Sequence, residues 1–248
     1  MLLRLHEIAE GNHRILNPFT EERLMLLGEV CRLRPGMRQL DLCCGKGEML
    51  CQWARRWSIT GIGVDISKVF LTAARARAAE MGVEDRAAFV EADASAYKAE
   101  AHAFDVVSCI GATWIGGGLV GTLKLMLPAL KEGGLILVGE PYWIDQPPPE
   151  AYAPLGVTQD DFASLIGTFD RFESAGMDLV EMVLADPDSW DRYQAATWWT
   201  MREWLRENPK DPDAPALRDF LSGSHRGYLA YSRRYLGWGV FVLKVKDR

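Results

Sequence analysis

The chain has 248 residues, of which 48% are hydrophobic, so it is long enough to bury the core of one large domain. Its formal net charge is −6 and it has no run of Lys or Arg, which argues against a nucleic acid partner, because phosphate backbones are bound by clustered cations. The apolar runs are far shorter than the roughly 20 residues that span a bilayer, and the N-terminus lacks a signal-like pattern, so we expect a cytoplasmic protein without a membrane partner.

Helices and strands are predicted to alternate along the first 140 residues. Thr20 reads as the N-cap of a first helix with an acidic first turn. The predicted strands lie at residues 39–42, 59–65, 88–93, 104–110 and 135–140, and the helices between them at 48–57, 68–81 and 119–130. The last helix is expected to kink at Pro128 and to stop at residues 131–134. Strands that are apolar almost throughout are typical of a parallel sheet covered by helices on both faces.

The pattern changes after Glu140. A proline-rich stretch at residues 146–149 predicts a rigid, irregular connection, which we interpret as the start of an inserted cap. A helix is predicted at residues 162–174, a strand at 177–185 and a further helix from Pro187. Residues 238–245 predict a seventh strand, which comes late and without a following helix. This strand is expected to be antiparallel, near the edge of a seven-stranded, mostly parallel sheet.

A strand that runs into a glycine turn and then a helix is the strongest local signal. Residues 40–48 read Leu-Asp-Leu-Cys-Cys-Gly-Lys-Gly-Glu. Gly45 and Gly47 allow backbone to approach a ligand closely, and the following helix presents free N–H groups to it. Asp65 ends the next strand, where a carboxylate could hold two ribose hydroxyls. With Asp93 at the end of the third strand, the spacing predicts a nucleoside-binding α/β unit.

An NAD-dependent oxidoreductase uses similar signals, but the spacing disfavours it. The dinucleotide fingerprint needs a glycine or alanine three residues after Gly47, and Leu50 stands there.

These segments resemble the class I S-adenosylmethionine-dependent methyltransferases over roughly residues 34–245. The match rests on Asp41 to Gly47 as the glycine-rich first motif, Asp65 as the acidic end of the second strand, Asp93 and Ala94 as the adenine-contacting segment, and residues 130–134 as the turn before the fifth strand. The pieces at residues 17–22, 111–114 and 139–143 look like a subgroup of uncharacterised bacterial enzymes that act on small molecules. The family usually has glycine where this chain has Cys43, which fits if the backbone there has ordinary φ and ψ.

The resemblance implies S-adenosyl-L-methionine as the cofactor, a small-molecule methyl acceptor, and a Rossmann-like fold in one domain over residues 1–248. Residues 1–33 are expected to form a helical lid, and residues 141–176 and 186–235 cap-like helical regions. The predicted cofactor-binding residues are Asp41, Cys43, Gly45, Gly47, Asp65, Ile66, Asp93, Ala94 and Ile110. A non-catalytic protein that binds S-adenosylmethionine is the alternative. The sequence identifies neither the acceptor, nor the atom methylated, nor the oligomeric state.

The acceptor side of the site is predicted from three residues. His13 lies in an N-terminal segment that in such enzymes often folds over the cofactor, so it could take a proton from the acceptor; a hydrogen bond beside a helix is the alternative. Glu140 could accept a proton or hold a cationic nucleophile, or else act in an ion pair. Tyr142, with Trp143, follows the fifth strand at the edge where open α/β sheets bind ligands. An aromatic stripe from Trp190 to Trp204 is interpreted as packing on the sheet.

The cysteines are interpreted as buried structural thiols. Cys43, Cys44, Cys51 and Cys109 contain no CxxC pair, and no cysteine follows Cys109, so we predict no metal site.

Overall fold

The computed structural model describes residues 3–246 and contains one seven-stranded sheet. Met1, Leu2, Asp247 and Arg248, which belong to the predicted domain span 1–248, lie outside the described residues. The strands are β1 (Arg38–Leu42), β2 (Thr60–Asp65), β3 (Ala87–Glu91), β4 (Phe104–Ile110), β5 (Leu130–Trp143), β6 (Met177–Leu184) and β7 (Leu236–Val245). Their order is β3-β2-β1-β4-β5-β7-β6, with β1 to β5 parallel and β7 antiparallel to both β5 and β6. The predicted fold class is confirmed.

The helices connect these strands and cover the sheet. They are α1 (Leu3–Ala9), α2 (Glu21–Val30), α3 (Glu48–Trp57), α4 (Lys68–Met81), α5 (Leu119–Met126), α6 (Tyr152–Leu155), α7 (Leu165–Ser174), α8 (Pro187–Glu207), α9 (Ala214–Gly227) and α10 (Arg233–Tyr235). The ends of α3, α4 and β4 agree with the sequence prediction. In α4 the Ser67 hydroxyl accepts a hydrogen bond from the Phe70 amide, and Gly82 closes the helix in the left-handed conformation. None of the helices within residues 3–246 has the length and apolar character needed to cross a bilayer.

Both faces of the sheet are buried, because successive strand residues point to opposite faces. Val106, Leu137 and Val240 belong to the core cluster that α2 and α3 cover. Val107, Val138 and Phe241 belong to the cluster that α5 and α7 cover. This arrangement explains the almost continuous apolar character of the strands in the sequence.

The aromatic stripe of α8 packs differently from the prediction. Trp190 does contact the sheet core, but Met201 and Trp204 join a third apolar cluster with Leu5 of α1 and Leu217 of α9. The expectation that the whole stripe packs on the sheet is therefore wrong. The reason is the N-terminal helix, which lies against α8 and offers it a second apolar surface.

Strand β5 is longer than the sequence predicts at both ends. Residues 131–134, expected as a turn, lie within the strand, where Gly133 has a φ of +72° and the pairing with β4 shifts register. At the other end, Tyr142 and Trp143 lie in the strand rather than after it, because pairing with β7 continues past Glu140. Smaller differences occur at β3, which ends at Glu91, and at α7, which begins at Leu165 after the N-cap Ser164.

Candidate functional site

A cavity of about 870 Å³ opens at the carboxyl ends of β1, β2 and β4, the edge where parallel sheets bind ligands. We call it the main cavity. Of the nine predicted cofactor-binding residues, its wall includes Asp41, Cys43, Gly45, Asp65, Ile66, Asp93, Ala94 and Ile110. Gly47 stands apart from the wall: it is the N-cap of α3, and its Cα faces the ring of Phe89.

The glycine turn is sterically required. Gly45 has a φ of +55°, and a Cβ there would lie 2.6 Å from Leu16 Cδ1. Gly47 has a φ of +67°, and its Cβ would lie 2.5 Å from the Phe89 ring. Cys43 also has a positive φ, of 58°, so the expectation of an ordinary backbone at this position is wrong. The left-handed conformation costs a non-glycine residue about 1–2 kcal/mol, which explains the glycine that the family usually has here.

Asp65 is fixed by the turn that it faces. Its Oδ2 accepts a hydrogen bond from the Gly45 amide at 2.8 Å, and its Oδ1 accepts one from the Ser67 amide at 2.8 Å. Each carboxylate oxygen can accept a further bond, so the group can still receive a pair of hydroxyls from a ligand in the main cavity.

Asp41 is a buried acid without a cationic partner. It lines the main cavity with 3% of its surface exposed, and Ser108 Oγ donates to it at 2.7 Å. Burial raises the pKa of Asp41 to about 7; the Ser108 hydrogen bond opposes this, and the charge of Asp65 adds to it. No Lys, Arg or His within residues 3–246 forms an ion pair with it. A ligand ammonium group would stabilise the ionised form.

The segments that follow β2 and β3 contribute a polar and an apolar surface to the main cavity. Asp93 is exposed, and the amide and hydroxyl of Ser95 donate to it at 2.9 and 2.7 Å, which lowers its pKa. Ala94 beside it is buried, and Ile66 presents an exposed apolar side chain to the same cavity. Together they offer a flat apolar slot with a polar edge, which suits a nucleobase.

The N-terminal segment (residues 3–19) covers the main cavity. Leu3, His6 and residues 14–17 line it, and Leu16 packs directly on Gly45. Lys46, between the two glycines of the turn, donates to the carbonyl oxygens of Glu10, Gly11 and His13 at 2.7, 2.7 and 2.6 Å. The sequence placed Lys46 in the turn but gave no sign of these partners.

His13 does not face the main cavity. Its Nε2 lies 3.1 Å from the carbonyl oxygen of Tyr193 in α8, and its Nδ1 lies 3.3 Å from Glu10 Oε2. Burial lowers the pKa of His13, so the neutral imidazole is favoured. The Tyr193 hydroxyl donates to Glu10 at 2.7 Å. The neighbouring residues of the N-terminal segment, rather than His13, reach the cavity wall.

Glu140 and Tyr142 are also absent from the wall of the main cavity. Glu140 lines a second cavity of about 650 Å³, together with Trp114, Phe162 and Arg171. Tyr142 is buried in the sheet core against Gly237, and Trp143 packs on the rings of Tyr152 and Phe162. The structure thus does not bring the three predicted acceptor-side residues together. Residues that the sequence reasoning missed on the main cavity wall are Asn17, Phe19, Trp114 and Trp238.

The five cysteines are free thiols. Cys43 and Cys44 line the main cavity, whereas Cys31, Cys51 and Cys109 are buried. The pKa of Cys109 is raised by its hydrogen bond with Cys43 and by burial. Within residues 3–246, no group of three or more Cys, His, Asp or Glu side chains has metal-site geometry.

Comparison with known proteins agrees with this geometry. A family model described as a methyltransferase domain matches residues 40–134. The uncharacterised protein YjhP of Escherichia coli strain K12 is 49% identical over 242 residues, which cover 97% of each chain. The crystal structure of an S-adenosylmethionine-dependent methyltransferase from Geobacter sulfurreducens, in complex with S-adenosyl-L-homocysteine, is 48% identical, with a TM-score of 0.94 over 98% of both chains. The chain belongs to the class I S-adenosylmethionine-dependent methyltransferases.

The predicted family, enzyme class and cofactor are therefore confirmed, and the oxidoreductase and non-catalytic alternatives are set aside. A second methyltransferase structure with S-adenosyl-L-homocysteine, from Thiobacillus denitrificans, is 47% identical with a TM-score of 0.93 over 98% of both chains. A more distant relative, the ubiquinone/menaquinone biosynthesis C-methyltransferase UbiE of Ectopseudomonas mendocina, is 32% identical over 135 residues, which cover 54% of this chain and 50% of UbiE.

The residues of the main cavity fit this cofactor. Asp65 would hold the ribose hydroxyls, the slot beside Ala94 the adenine, and Asp41 the amino group of the methionine part, since each offers the matching chemistry. The bound cofactor supplies a methyl group that is attached to a positively charged sulfur. When the methyl group is transferred, the rest of the cofactor leaves as a neutral thioether. The chain's own task in this methyltransferase is then to align an acceptor and to exclude water.

Proposed function

We propose that the enzyme methylates a small molecule with an apolar body, which binds in the main cavity beneath the N-terminal segment. The volume of about 870 Å³ supports this, because it lies at the upper end of the roughly 300–1,000 Å³ typical of ligand pockets and leaves room beside a nucleoside. The observation that carries the proposal is the set of apolar residues that line the same cavity as the predicted cofactor-binding residues, which we call the apolar wall, namely Phe19, Leu24, Leu27, Met49, Trp238 and Val240.

The position of this wall favours a small acceptor over a macromolecule. The N-terminal segment is held on the glycine turn by Lys46 and Leu16, so the acceptor site lies under a cover rather than on an open surface. The similarity to UbiE, a C-methyltransferase of ubiquinone and menaquinone biosynthesis, also supports an acceptor of low polarity. The chain's net charge of −6 disfavours nucleic acid.

No acid or base is required to release the thioether, so the proposed mechanism rests on alignment. Asn17 lies against Gly111 at the end of β4, and Phe19 stacks edge-on against Trp238 at 5.2 Å between ring centroids. These groups would hold the acceptor against the face of the cavity where the methyl group is presented. If the nucleophile of the acceptor must lose a proton, His13 and Glu140 are not placed to accept it directly, because neither side chain lines the main cavity.

The experiment is transfer of a labelled methyl group from S-adenosylmethionine into fractionated cell extract. We expect a labelled product in the low-molecular-weight filtrate that chromatography separates from S-adenosylmethionine and that forms only with added enzyme, and no enzyme-dependent label in the protein, RNA or DNA fractions. Label confined to a macromolecular fraction would overturn the proposal.

A matched pair of variants tests the apolar wall once an acceptor is in hand. Phe19→Leu should lower kcat/KM for the acceptor about three- to tenfold, since it removes a ring contact worth about 0.5–1.5 kcal/mol, while the affinity for S-adenosylhomocysteine stays within twofold. Leu26→Ala, an exposed position on α2 away from the wall, is the control and should change neither. Equal behaviour of the two variants would place the acceptor elsewhere.

A further inference from the structure

The second cavity lies next to the main cavity and contains Glu140, which the proposed mechanism does not use. Trp114, on the 3₁₀ turn after β4, borders both cavities. The residue is 71% exposed, so its ring is accessible to a ligand in either cavity. Any molecule that extends from the main cavity past Trp114 meets the wall that Glu140 lines.

Only one of the two carboxylate oxygens of Glu140 accepts a hydrogen bond from the described residues. Glu140 is 3% exposed, and this oxygen, Oε2, accepts a hydrogen bond from the Thr113 hydroxyl. The other oxygen has no hydrogen-bond partner among residues 3–246, and no Lys, Arg or His within 4.0 Å pairs with the group. A buried carboxylate with one neutral donor and no paired cation has spare capacity to accept a hydrogen bond from a ligand cation in the second cavity.

The other charged groups at this cavity favour a cation rather than an anion. The exposed residues Asp160 and Asp161 line the second cavity together with the buried Glu140. Arg171 is the positive group there, but its guanidinium donates to the backbone carbonyl oxygens of Asp160 and Asp161 at 2.8 and 3.3 Å, so it holds the loop in place. The cavity lining thus includes three acidic residues and one arginine whose donors are partly committed, which disfavours an anion.

Two aromatic side chains, Trp114 and Phe162, complete the wall. Aromatic faces attract organic cations, and the attraction is stronger when water is excluded. A buried carboxylate beside aromatic rings is the combination that recognises an amine.

We propose that the second cavity binds an organic ammonium group carried by the acceptor, with Glu140 as its counter-ion, Trp114 and Phe162 as its aromatic wall, and the methylated atom in the main cavity. The inference rests on the proposed small-molecule function and narrows the acceptor to an amphiphilic amine. Consistent with this role, burial raises the pKa of Glu140 to about 7, with the Thr113 hydrogen bond and Arg171 opposing, so a bound cation can displace a proton near neutral pH.

Binding of a simple probe pair tests the cavity without an identified acceptor. The intact protein, saturated with S-adenosylhomocysteine, is titrated with 2-phenylethylammonium chloride and with neutral 2-phenylethanol, and binding is followed by NMR. We expect the ammonium to bind at least tenfold more tightly. Equal affinity for the two probes would overturn the inference.

Variants assign the binding to Glu140. Glu140→Gln keeps an acceptor for Thr113 but removes the charge, and should weaken ammonium binding at least tenfold with the affinity for S-adenosylhomocysteine unchanged, which also shows that the fold is intact. Glu132→Gln, at the exposed opposite end of β5, removes the same charge and should have no effect. Trp114→Leu should weaken ammonium binding about two- to fivefold more than it weakens alcohol binding. Unchanged ammonium binding in Glu140→Gln would refute the assignment.

The acceptor recovered from the labelling experiment separates the two claims. A cationic small molecule supports both. A neutral or anionic small molecule overturns this inference and leaves the proposed function standing.

Discussion

We expect cofactor binding to change the charge of Asp41. It lies in the main cavity, bonded to Ser108 and to no cation among the described residues, and burial raises its pKa to about 7. Near neutral pH a large share of the ligand-free protein therefore holds Asp41 in its neutral form. An ammonium group beside it favours the carboxylate, so binding lowers this pKa and releases a proton.

We expect the affinity for S-adenosylhomocysteine to increase between pH 6 and pH 8, with net proton release measured by calorimetry in buffers of different ionisation enthalpy. His6 also lines the cavity, but burial lowers its pKa, so it is neutral across most of this range. Asp41→Asn should lose the proton release and weaken binding by roughly 1.5–3 kcal/mol, the value of a charged hydrogen bond. Proton release that persists in Asp41→Asn would exclude Asp41 as its source.

Cys43 has a positive φ, a backbone conformation that favours glycine. Cys43→Gly should relieve about 1–2 kcal/mol of left-handed strain and lose about 0.5–1 kcal/mol to the greater freedom of unfolded glycine, so the free energy of unfolding should rise or stay level. The affinity for S-adenosylhomocysteine should stay within tenfold, or about 1.4 kcal/mol. Urea unfolding and calorimetry measure the two quantities.

A contrast variant makes this prediction specific. Cys43→Val places a β-branched residue at the same positive φ and should destabilise the protein, since branching adds to the left-handed clash. If Cys43→Gly instead abolished methyl transfer while binding persisted, the thiol would take part in the reaction.

Sequence alone could predict the residues whose role follows from local order. Gly45 and Asp65 follow from a strand, a turn and the next strand end, and the structure places both on one cavity wall. The direction of His13 could not be predicted, because its partner Tyr193 is contributed by α8, 180 residues later. The positive φ of Cys43 could not be predicted from its residue type either, since cysteine is uncommon in that conformation.

At the scale of elements, the N-terminal segment and the glycine turn are joined by Lys46. Its ammonium group donates hydrogen bonds to three carbonyl oxygens just after α1, at the helix end whose carbonyl groups attract a cation. Ser67 Oγ, which caps α4, donates to Glu7 Oε1 at 2.6 Å and adds a second link. The turn that lines the main cavity thus also holds the N-terminal segment in place.

Lys46→Met should loosen this cover. We expect faster amide hydrogen exchange in residues 3–19 and faster release of S-adenosylhomocysteine, because the three charged hydrogen bonds are lost; exchange in β4 should not change. Lys68→Met removes the same charge from an exposed position on α4 and is the control. If both variants exchange alike in residues 3–19, Lys46 does not hold the segment.

The boundaries of β5 show where prediction of elements fails. Local signals at residues 131–134 resemble a turn, but pairing with β4 makes them an irregular part of the strand. Beyond Glu140, extension depends on β7, which pairs with Tyr142 through Gly237 nearly one hundred residues later. By contrast, α3 and α4 carry their own start and stop signals, and those ends were predicted correctly.

At the scale of the whole molecule, the main cavity depends on parts of the chain that are far apart in sequence. Its wall includes Leu3, Asp41, Ile110 and Val240. The placement of β7 beside β5 puts Trp238 and Val240 two strands away from β4, near enough for them to line the same cavity as Ile110. A ligand in this cavity therefore contacts the N-terminal segment, the parallel strands and the antiparallel strand together.

Ligand binding should consequently stabilise the protein as one cooperative unit. S-adenosylhomocysteine at about 100 times its dissociation constant should add about 2.7 kcal/mol to the free energy of unfolding, and at about 2–4 °C per kcal/mol for a domain of this size the Tm should rise by roughly 5–11 °C in one calorimetric transition. NAD at the same concentration should give no such shift.

Asp65→Ala, which should weaken cofactor binding by roughly 1.5–3 kcal/mol, should show a much smaller shift in Tm at that concentration of S-adenosylhomocysteine. Two transitions, of which S-adenosylhomocysteine moves one, would show that the helical layer of α8 and α9 unfolds independently, and that the predicted single domain is in fact two.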